Sequence, residues 1–538
     1  MTDKVIERHQ RDALVHFNDG DKALLVSQIG YTSVGVRVAY LTSQTKAVLD
    51  GVEKFEVLDA SMRVVYESVP EYAGEWVQAH FARLDFSAVS QPGNYRIRVG
   101  ALVSNEFEMT TAQKLYLDDH YHGMMIGQMR IRKRMDEVGG FIDCGNDIRE
   151  TNSHATQIRG YTDVTAAQSQ LLSGQEQAEL DEILRHSAAF LAGQQQDSGL
   201  IEGGWWMTKP IDYMGQWPNH IRGVFGFLRL ADHFASSDEA FTAELLQAAE
   251  RALQYSREHS APEDTRSTFA TLRLWNEAEY HRQTNDARAL AEAKAIAGVL
   301  RKRQLKQSEA LDSGIYGLFR MGADVDNEYA RLNHHKVESP YNGEYWGLPL
   351  HGLLILSSLY PEDSDAALWR DTVKDFTEGF LKRGCMASPM KLLPNGVYGD
   401  EGDEKLLWFS DLFHGQSMTY GMVAGDMIAY GNFLGDSTLV DLAEHQLLWI
   451  GGLNTGANFP NAAEPFSCIV GKGYQWLSDG LGEFKYIPGS VVNGLSATRQ
   501  FRPHMPEGPE MPVFLCDESW ISHTGGWLSG VSALLAER

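Results

Sequence analysis

The sequence predicts a β + α protein in two parts, an immunoglobulin-like β-sandwich followed by one large helical domain. Three observations carry that prediction. Residues 24 to 109 break into about seven short runs rich in β-branched and aromatic residues, divided by turn signals such as Gln91-Pro92-Gly93-Asn94. From about residue 112 the apolar spacing changes from about two to about 3.6 residues. No second strand-rich block follows. The expected organisation is an extension over 1–22, a sandwich over 23–111 and a helical domain over 112–538.

The strand runs, in order, are Leu24–Gly30, Val36–Tyr40, Phe55–Leu58, Arg63–Tyr66, Trp76–Phe81, Tyr95–Val99 and Glu106–Met109. Several alternate polar and apolar residues, as a sheet with one buried face requires. In the helical part Leu180, Ile183, Leu184, Ala188 and Leu191 share one face, as do Ile221, Val224, Phe225 and Leu228, and Leu245, Leu246, Ala249 and Leu253. Further helices are expected over 286–303, 349–360, 366–382, 416–434, 437–450 and 518–537. The loops between them hold the unusual residues, among them Glu202-Gly203-Gly204-Trp205-Trp206 and Tyr341-Asn342-Gly343-Glu344-Tyr345-Trp346-Gly347. Such loops on a rigid scaffold are where function concentrates. Periodicity by itself fits a helical barrel and a less regular bundle equally.

The chain has 538 residues, with 47 Lys+Arg against 72 Asp+Glu and a formal net charge of −25. That balance repels phosphate backbones and anionic bilayers, so neither nucleic acid nor membrane is an expected partner. The four cysteines, Cys144, Cys385, Cys468 and Cys516, are widely spaced and make neither a disulfide framework nor a zinc site. Met1 to Asp21 is polar and charged without an apolar core, so no secretory leader is read and a cytoplasmic protein is expected. No P-loop or dinucleotide fingerprint follows a strand. The pairs His120-Tyr121-His122 and His334-His335 lack a third ligand at metal spacing and are read as structural or sugar-contacting. No cofactor or metal is expected, with a structural calcium ion left open, and oligomeric state is not legible.

The stretch with the most chemistry per residue is Gly139-Gly140-Phe141-Ile142-Asp143-Cys144-Gly145-Asn146-Asp147. Glycines allow a tight turn, and carboxylates on such a turn can accept a proton from water. This stretch is similar to the G-G-W-x-D-A-G-D motif of glycoside hydrolase family 9. Gln28-Ile29-Gly30-Tyr31, Asp85-Phe86-Ser87 and Pro92-Gly93-Asn94-Tyr95 resemble the N-terminal immunoglobulin-like module of that family. Pro488-Gly489-Ser490-Val491-Val492-Asn493-Gly494 and Asp517-Glu518, with His523-Thr524-Gly525, resemble its C-terminal motifs.

The resemblance implies an (α/α)6 barrel and an inverting hydrolase of β-1,4-linked, gluco-configured oligosaccharides. It also implies that Glu518 is the general acid and that the base is Asp143, either paired with Asp147 or alone. Asn146 stands where the motif's second aspartate is expected, and an amide takes no proton at neutral pH. It is read as a substrate contact, together with Trp205, Trp206, Tyr345 and Trp346, whose rings suit the C–H faces of pyranoses. Without the resemblance, Asp143 is a helix cap and Glu518 a solvated first-turn residue. The sharper expectation is exo-action on short chains, as in the family's exo-β-glucosaminidases acting on chitosan or chitin fragments. An endo-β-1,4-glucanase and a non-catalytic oligosaccharide-binding protein are the alternatives.

Overall fold

The computed structural model describes residues 22–118, 122–144, 147–207, 209–211, 216–322, 325–332, 346–398, 402, 404–408, 415–456, 465–474, 487–497, 503–504 and 518–538. Its N-terminal part is a sandwich of two sheets. The strands are β1 (Ala23–Leu25), β2 (Tyr31–Thr32), β3 (Val38–Ser43), β4 (Phe55–Asp59), β5 (Val64–Ser68), β6 (Glu71–Trp76), β7 (Ala79–Asp85), β8 (Gly93–Val99), β9 (Leu102–Val103) and β10 (Phe107–Thr110). One sheet runs β1-β3-β7-β6; the other runs β2-β10-β8-β4-β5, with β9 paired to β8. All pairs are antiparallel except β2 with β10.

The family-like motifs sit at the centre of this sandwich. Tyr31 is fully buried, meets Phe86 and Phe107 edge-on at 5.1 and 4.9 Å, and accepts the Ser27 N–H on its hydroxyl at 2.9 Å. Two strand expectations need correction. The run Trp76–Phe81 is not one strand, because Val77 and Gln78 take φ of 43° and 67° and form the hairpin turn between β6 and β7. The run Leu24–Gly30 divides likewise: only its start is strand, and the chain then crosses to the other sheet at β2.

The rest of the chain is a double ring of helices. The outer members are a helical run that ends in α1 (Gln128–Arg132), then α3 (Gly174–Gly193), α5 (Glu239–His259), α7 (Ala287–Arg303), α9 (Ala366–Phe376) and α11 (Thr438–Ile450). They alternate in sequence with α2 (Thr151–Gln168), α4 (Gln216–Phe234), α6 (Ser267–Thr284), α8 (His351–Leu359), α10 (Ser417–Leu434) and α12 (Ile521–Glu537). These six pack side by side in the order α2-α4-α6-α8-α10-α12, and α12 packs back on α2. That closure makes the (α/α)6 barrel. The expected helix over 366–382 continues past Phe376 with a wider π turn at Thr377–Lys382, and the last helix begins at Ile521 rather than 518. His122 opens a helical turn rather than lying in a strand-like H-x-H; His120, Tyr121, His334 and His335 fall outside the described residues.

The inner helices are buried on nearly every side, which explains their composition. Along α2 the hydroxyls of Thr156, Thr162 and Thr165 each donate to a carbonyl one turn back, so these three hydroxyls enter the core without an unpaired hydrogen. Where α2 meets α12, Gly160 faces Gly525; where α10 meets α12, Gly421 faces Gly526. A Cβ at any of these would collide with the opposite backbone, so glycine here sets how closely the helices approach.

The sandwich docks on α11. Glu444, wholly buried, accepts from Thr32 Oγ1 at 3.0 Å, the Val36 N–H at 3.0 Å, Tyr116 OH at 3.2 Å and Arg538 Nη2 at 2.9 Å. Trp76 packs edge-on against Trp408 and Trp449 beside it.

Candidate active site

The glycine turn leads the chain out of α1 and back toward the ring. Gly139 and Gly140 have φ of +66° and +75°, and a Cβ on Gly140 would strike Phe190 and His154. The Arg134 N–H donates to Gly140 O at 2.9 Å and the Ile142 N–H to Arg132 O at 2.9 Å, which fixes the loop against the end of α1. Strand β11 (Ile148–Glu150) then pairs with β12 (Gly204–Trp206), which pairs in turn with β13 (Lys209–Pro210), and Glu150 is the N-cap residue of α2.

Asp143 is held from both ends of the domain. Its N–H donates to Ile148 O at 2.7 Å, and its carbonyl accepts the Ile521 N–H at 3.3 Å. Arg132, fully buried, donates to the carbonyls of Ile142, Asp143 and Ser519, the last at 2.8 Å. This guanidinium rivets the first loop of the barrel to the segment that precedes its last helix. Glu518 lies on that segment. Its carbonyl accepts the Asn493 N–H at 3.1 Å, and its Oε2 accepts Trp520 Nε1 at 2.8 Å.

Three carboxyls gather here. Asp143 is 1% exposed and Glu150 is 5% exposed. Ser153 Oγ lies 2.7 Å from Asp143 Oδ2 and 3.2 Å from Glu150 Oε2, and the two carboxyls also touch each other. Burial raises the pKa of both. Glu150 is raised well above the usual carboxylate value, first by desolvation and then by Asp143 and Glu518 nearby. Asp143 is raised by burial but held back by Ser153, by its contact with Glu150 and by the Arg132 charge.

Cys144 sits among the three. Burial, followed by the charges of Glu518, Asp143 and Glu150, pushes its thiol well above the usual range, so it stays protonated and in hydrogen-bond contact with Glu518. A thiolate nucleophile is thereby excluded at this position.

The other sequence candidates are placed less uniformly. Asp147 takes φ 53° and is ion-paired with Arg149 at 3.0 Å, while Arg149 also grips Asp136 at 2.6 Å. Trp205 and Trp206 are half-buried on β12, across from Arg149 and Ile148, and Trp205 Nε1 donates to Met207 O at 3.0 Å. Trp346 is buried: its Nε1 donates to Asn152 Oδ1 at 3.1 Å and its ring meets Phe225 edge-on. It is a wall of the barrel interior rather than a platform open to solvent. Asn146 and Tyr345 lie outside the described residues, as do Glu344 and Asp517. Sequence reading missed Glu150, Ser153 and Arg132. Among the described residues no group of three or more His, Cys, Asp or Glu side chains is arranged to hold a metal ion, and no helix is long and apolar enough to cross a membrane.

Comparison with known proteins agrees with this architecture. Residues 19–104 match the family model described as the cellulase N-terminal ig-like domain. No curated protein sequence matches the chain. Among solved structures, a family 9 glycoside hydrolase of Bacteroides ovatus superposes with a TM-score of 0.64 at 14% identity, covering 96% of this chain and 99% of that one. A metagenome-derived family 9 endoglucanase gives 0.63 at 17% identity, covering 96% and 99%. A thermostable endoglucanase from Alicyclobacillus acidocaldarius gives 0.64 at 14% identity, covering 95% and 99%. The fold, sandwich and barrel together, is that of family 9 glycoside hydrolases.

Proposed function

We propose that the chain is an inverting glycoside hydrolase acting on β-1,4-linked, gluco-configured oligosaccharides. What supports this reading is the junction of the Asp143 loop with the segment that bears Glu518, made by the Ile521 N–H on Asp143 O and by Arg132 on the carbonyls of Asp143 and Ser519. Inverting hydrolysis needs a carboxylate that draws a proton from water on one face of the sugar and a carboxylic acid at the leaving oxygen on the other. Asp143 takes the first role. It carries the charge that Arg132 and the Ser153 hydroxyl favour, in a site shielded from bulk water. Glu518 takes the second, aligned by the Trp520 indole. Inversion itself rests on the family likeness. Asp147, engaged by Arg149, supports the arginine clamp rather than the water.

Within this class we favour exo-action on short chains, with a glucosaminide as substrate. Clustered carboxyls suit a 2-ammonium group, and the motif departs from the cellulase pattern at Asn146. The test is turnover of an aryl β-glucosaminide, an aryl β-glucoside and carboxymethyl-cellulose, with the product anomer read by NMR. Release from cellulose alone overturns the exo reading. Glu518→Gln and Asp143→Asn each lower kcat by about 10²-fold or more with unchanged thermal stability; full activity in both variants removes the site assignment.

A further inference from the structure

Asp143 and Glu150 form a buried pair of carboxyls, and the structure supplies support for one negative charge between them. Arg132 is the cation facing them, and it comes from α1 across the loop. The N-terminus of α2 adds a partial positive charge at the same place. Against these stand Glu518 from the segment before α12 and the neutral Cys144 thiol. Arg149, adjacent in sequence to Glu150, is turned away and spent on Asp136 and Asp147. The partner strand β12 presents Gly204 opposite Glu150, and the His154 ring reaches only the Glu150 carbonyl, at 2.7 Å. A second anion would be uncompensated and desolvated.

Donor arithmetic leads to the same place. The Ser153 hydroxyl has one hydrogen, and the shorter of its two contacts is to Asp143. Asp143 Oδ1, buried, makes no hydrogen bond among the described groups, although the Ile521 N–H lies near the carboxyl. A carboxyl hydrogen on Glu150, in contact with Asp143, is the donor at hand.

We propose that Glu150 is a positioning residue of this site: it holds the single proton of the pair, donates it in a hydrogen bond to Asp143, and so fixes that carboxylate as the anionic member. The assignment rests on the hydrolase reading for its catalytic meaning, but not for the proton. Two like carboxyls a hydrogen bond apart cannot both ionise near neutrality. The neutral donor therefore persists at pH 7, lowers the basicity of Asp143 and aims its lone pairs. In a chain whose motif carries Asn146, this contact stands beside the water-activating carboxylate in place of a second aspartate.

The test has two independent readouts. Infrared difference spectra of wild type and Glu150→Gln at pH 7 are expected to show a neutral-carboxyl C=O band in wild type that the variant lacks. Kinetically, Glu150→Ala is expected to lower kcat by about tenfold or more and to move the acid limb of the kcat/KM profile upward by about one pH unit, because Asp143 loses its donor. Glu150→Gln, whose amide still donates, restores most of that loss and returns the limb. A band that survives in Glu150→Gln, or an acid limb unmoved in Glu150→Ala, overturns the proposal. Wild type that turns over none of the sugars yet shows the band overturns the hydrolase reading and leaves the shared proton standing.

Discussion

Arg132 Nη2 donates to the carbonyl oxygen of Ser519 at 2.8 Å, and the same guanidinium bonds the carbonyls of Ile142 and Asp143. One side chain at the end of the first helical run therefore joins the two segments that bear the candidate acids. A backbone carbonyl gains strength from a charged donor, and a carbonyl left bare in the interior costs free energy.

Removing that guanidinium tests how much of the site it holds. Arg132→Met removes a charged donor from three carbonyls, of which Asp143 O keeps the Ile521 N–H, and takes away the cation beside Asp143. A loss of about 3–5 kcal/mol is expected, read as a lower urea midpoint. Turnover falls further than stability alone explains, because Asp143 then binds a proton more readily. Arg132→Lys recovers charge but not the fork of donors, and lands between the two. Equal midpoints for all three proteins would contradict this role.

Glu444 makes the corresponding junction between sandwich and barrel. It gathers a hydroxyl and an N–H from the sandwich, a phenol from the connecting segment and Arg538 from the end of α12. Glu444→Ala strands the Val36 N–H and the Tyr116 phenol in a dry interface, while Thr32 keeps the Val34 carbonyl, and is expected to cost about 3–5 kcal/mol. Arg538 retains Asp441, so Glu444→Ala does not leave that guanidinium without an anion. Limited proteolysis at the connecting segment near Tyr116 should accelerate in Glu444→Ala and remain slow in Asp441→Ala; equal rates would count against the interface.

How much of this was legible in the sequence follows from the physics of burial. Outer helices α3, α5 and α7 bury one face, so their apolar spacing showed. Inner helices α2 and α6 are buried all round and carry Thr, Asn, Arg and Glu toward partners in the core, which erases the stripe. The acids Asp143 and Glu518 were legible because short motifs surround them. Glu150 and Ser153 were not, because their meaning lies in a contact with Asp143 that the loop creates by returning through β11. Trp346 looked like a sugar platform from its glycine-bearing loop, yet its indole is committed to Asn152 and Phe225.

The closing of the ring has its own test. Gly160 on α2 faces the backbone of Gly525 on α12, with no space for a methyl group. Gly160→Ala forces the helices apart at the seam where the first and last inner helices meet, costing about 1–3 kcal/mol or more. Gly298→Ala on outer helix α7 meets nothing within 4 Å and should stabilise slightly through helix propensity. Opposite shifts in melting temperature are expected from the same chemical change.

Acid sensitivity follows from three buried imidazoles that accept backbone N–H groups. His154 Nε2 accepts from Phe141, His220 Nδ1 from Ile201 and His523 Nδ1 from Met418, so each is neutral when folded. Burial pushes His154 and His523 down to about 3 and His220 down to about 4. Below the ordinary value of about 6.5 the unfolded chain binds protons that the folded chain refuses, so stability rises with pH through this window. The contribution is complete above about pH 6.5 and is lost as pH falls toward 4, at about 1.4 kcal/mol per pH unit for each histidine. Buried carboxyls with raised values, Glu277 at about 7 among them, act in the opposite sense, so total slopes mix the two. The difference between wild type and His220→Gln isolates one imidazole. Urea midpoints at pH 7, 6 and 5 should converge as pH falls, because the variant lacks one proton of the slope. Parallel curves would mean that His220 titrates alike in both states.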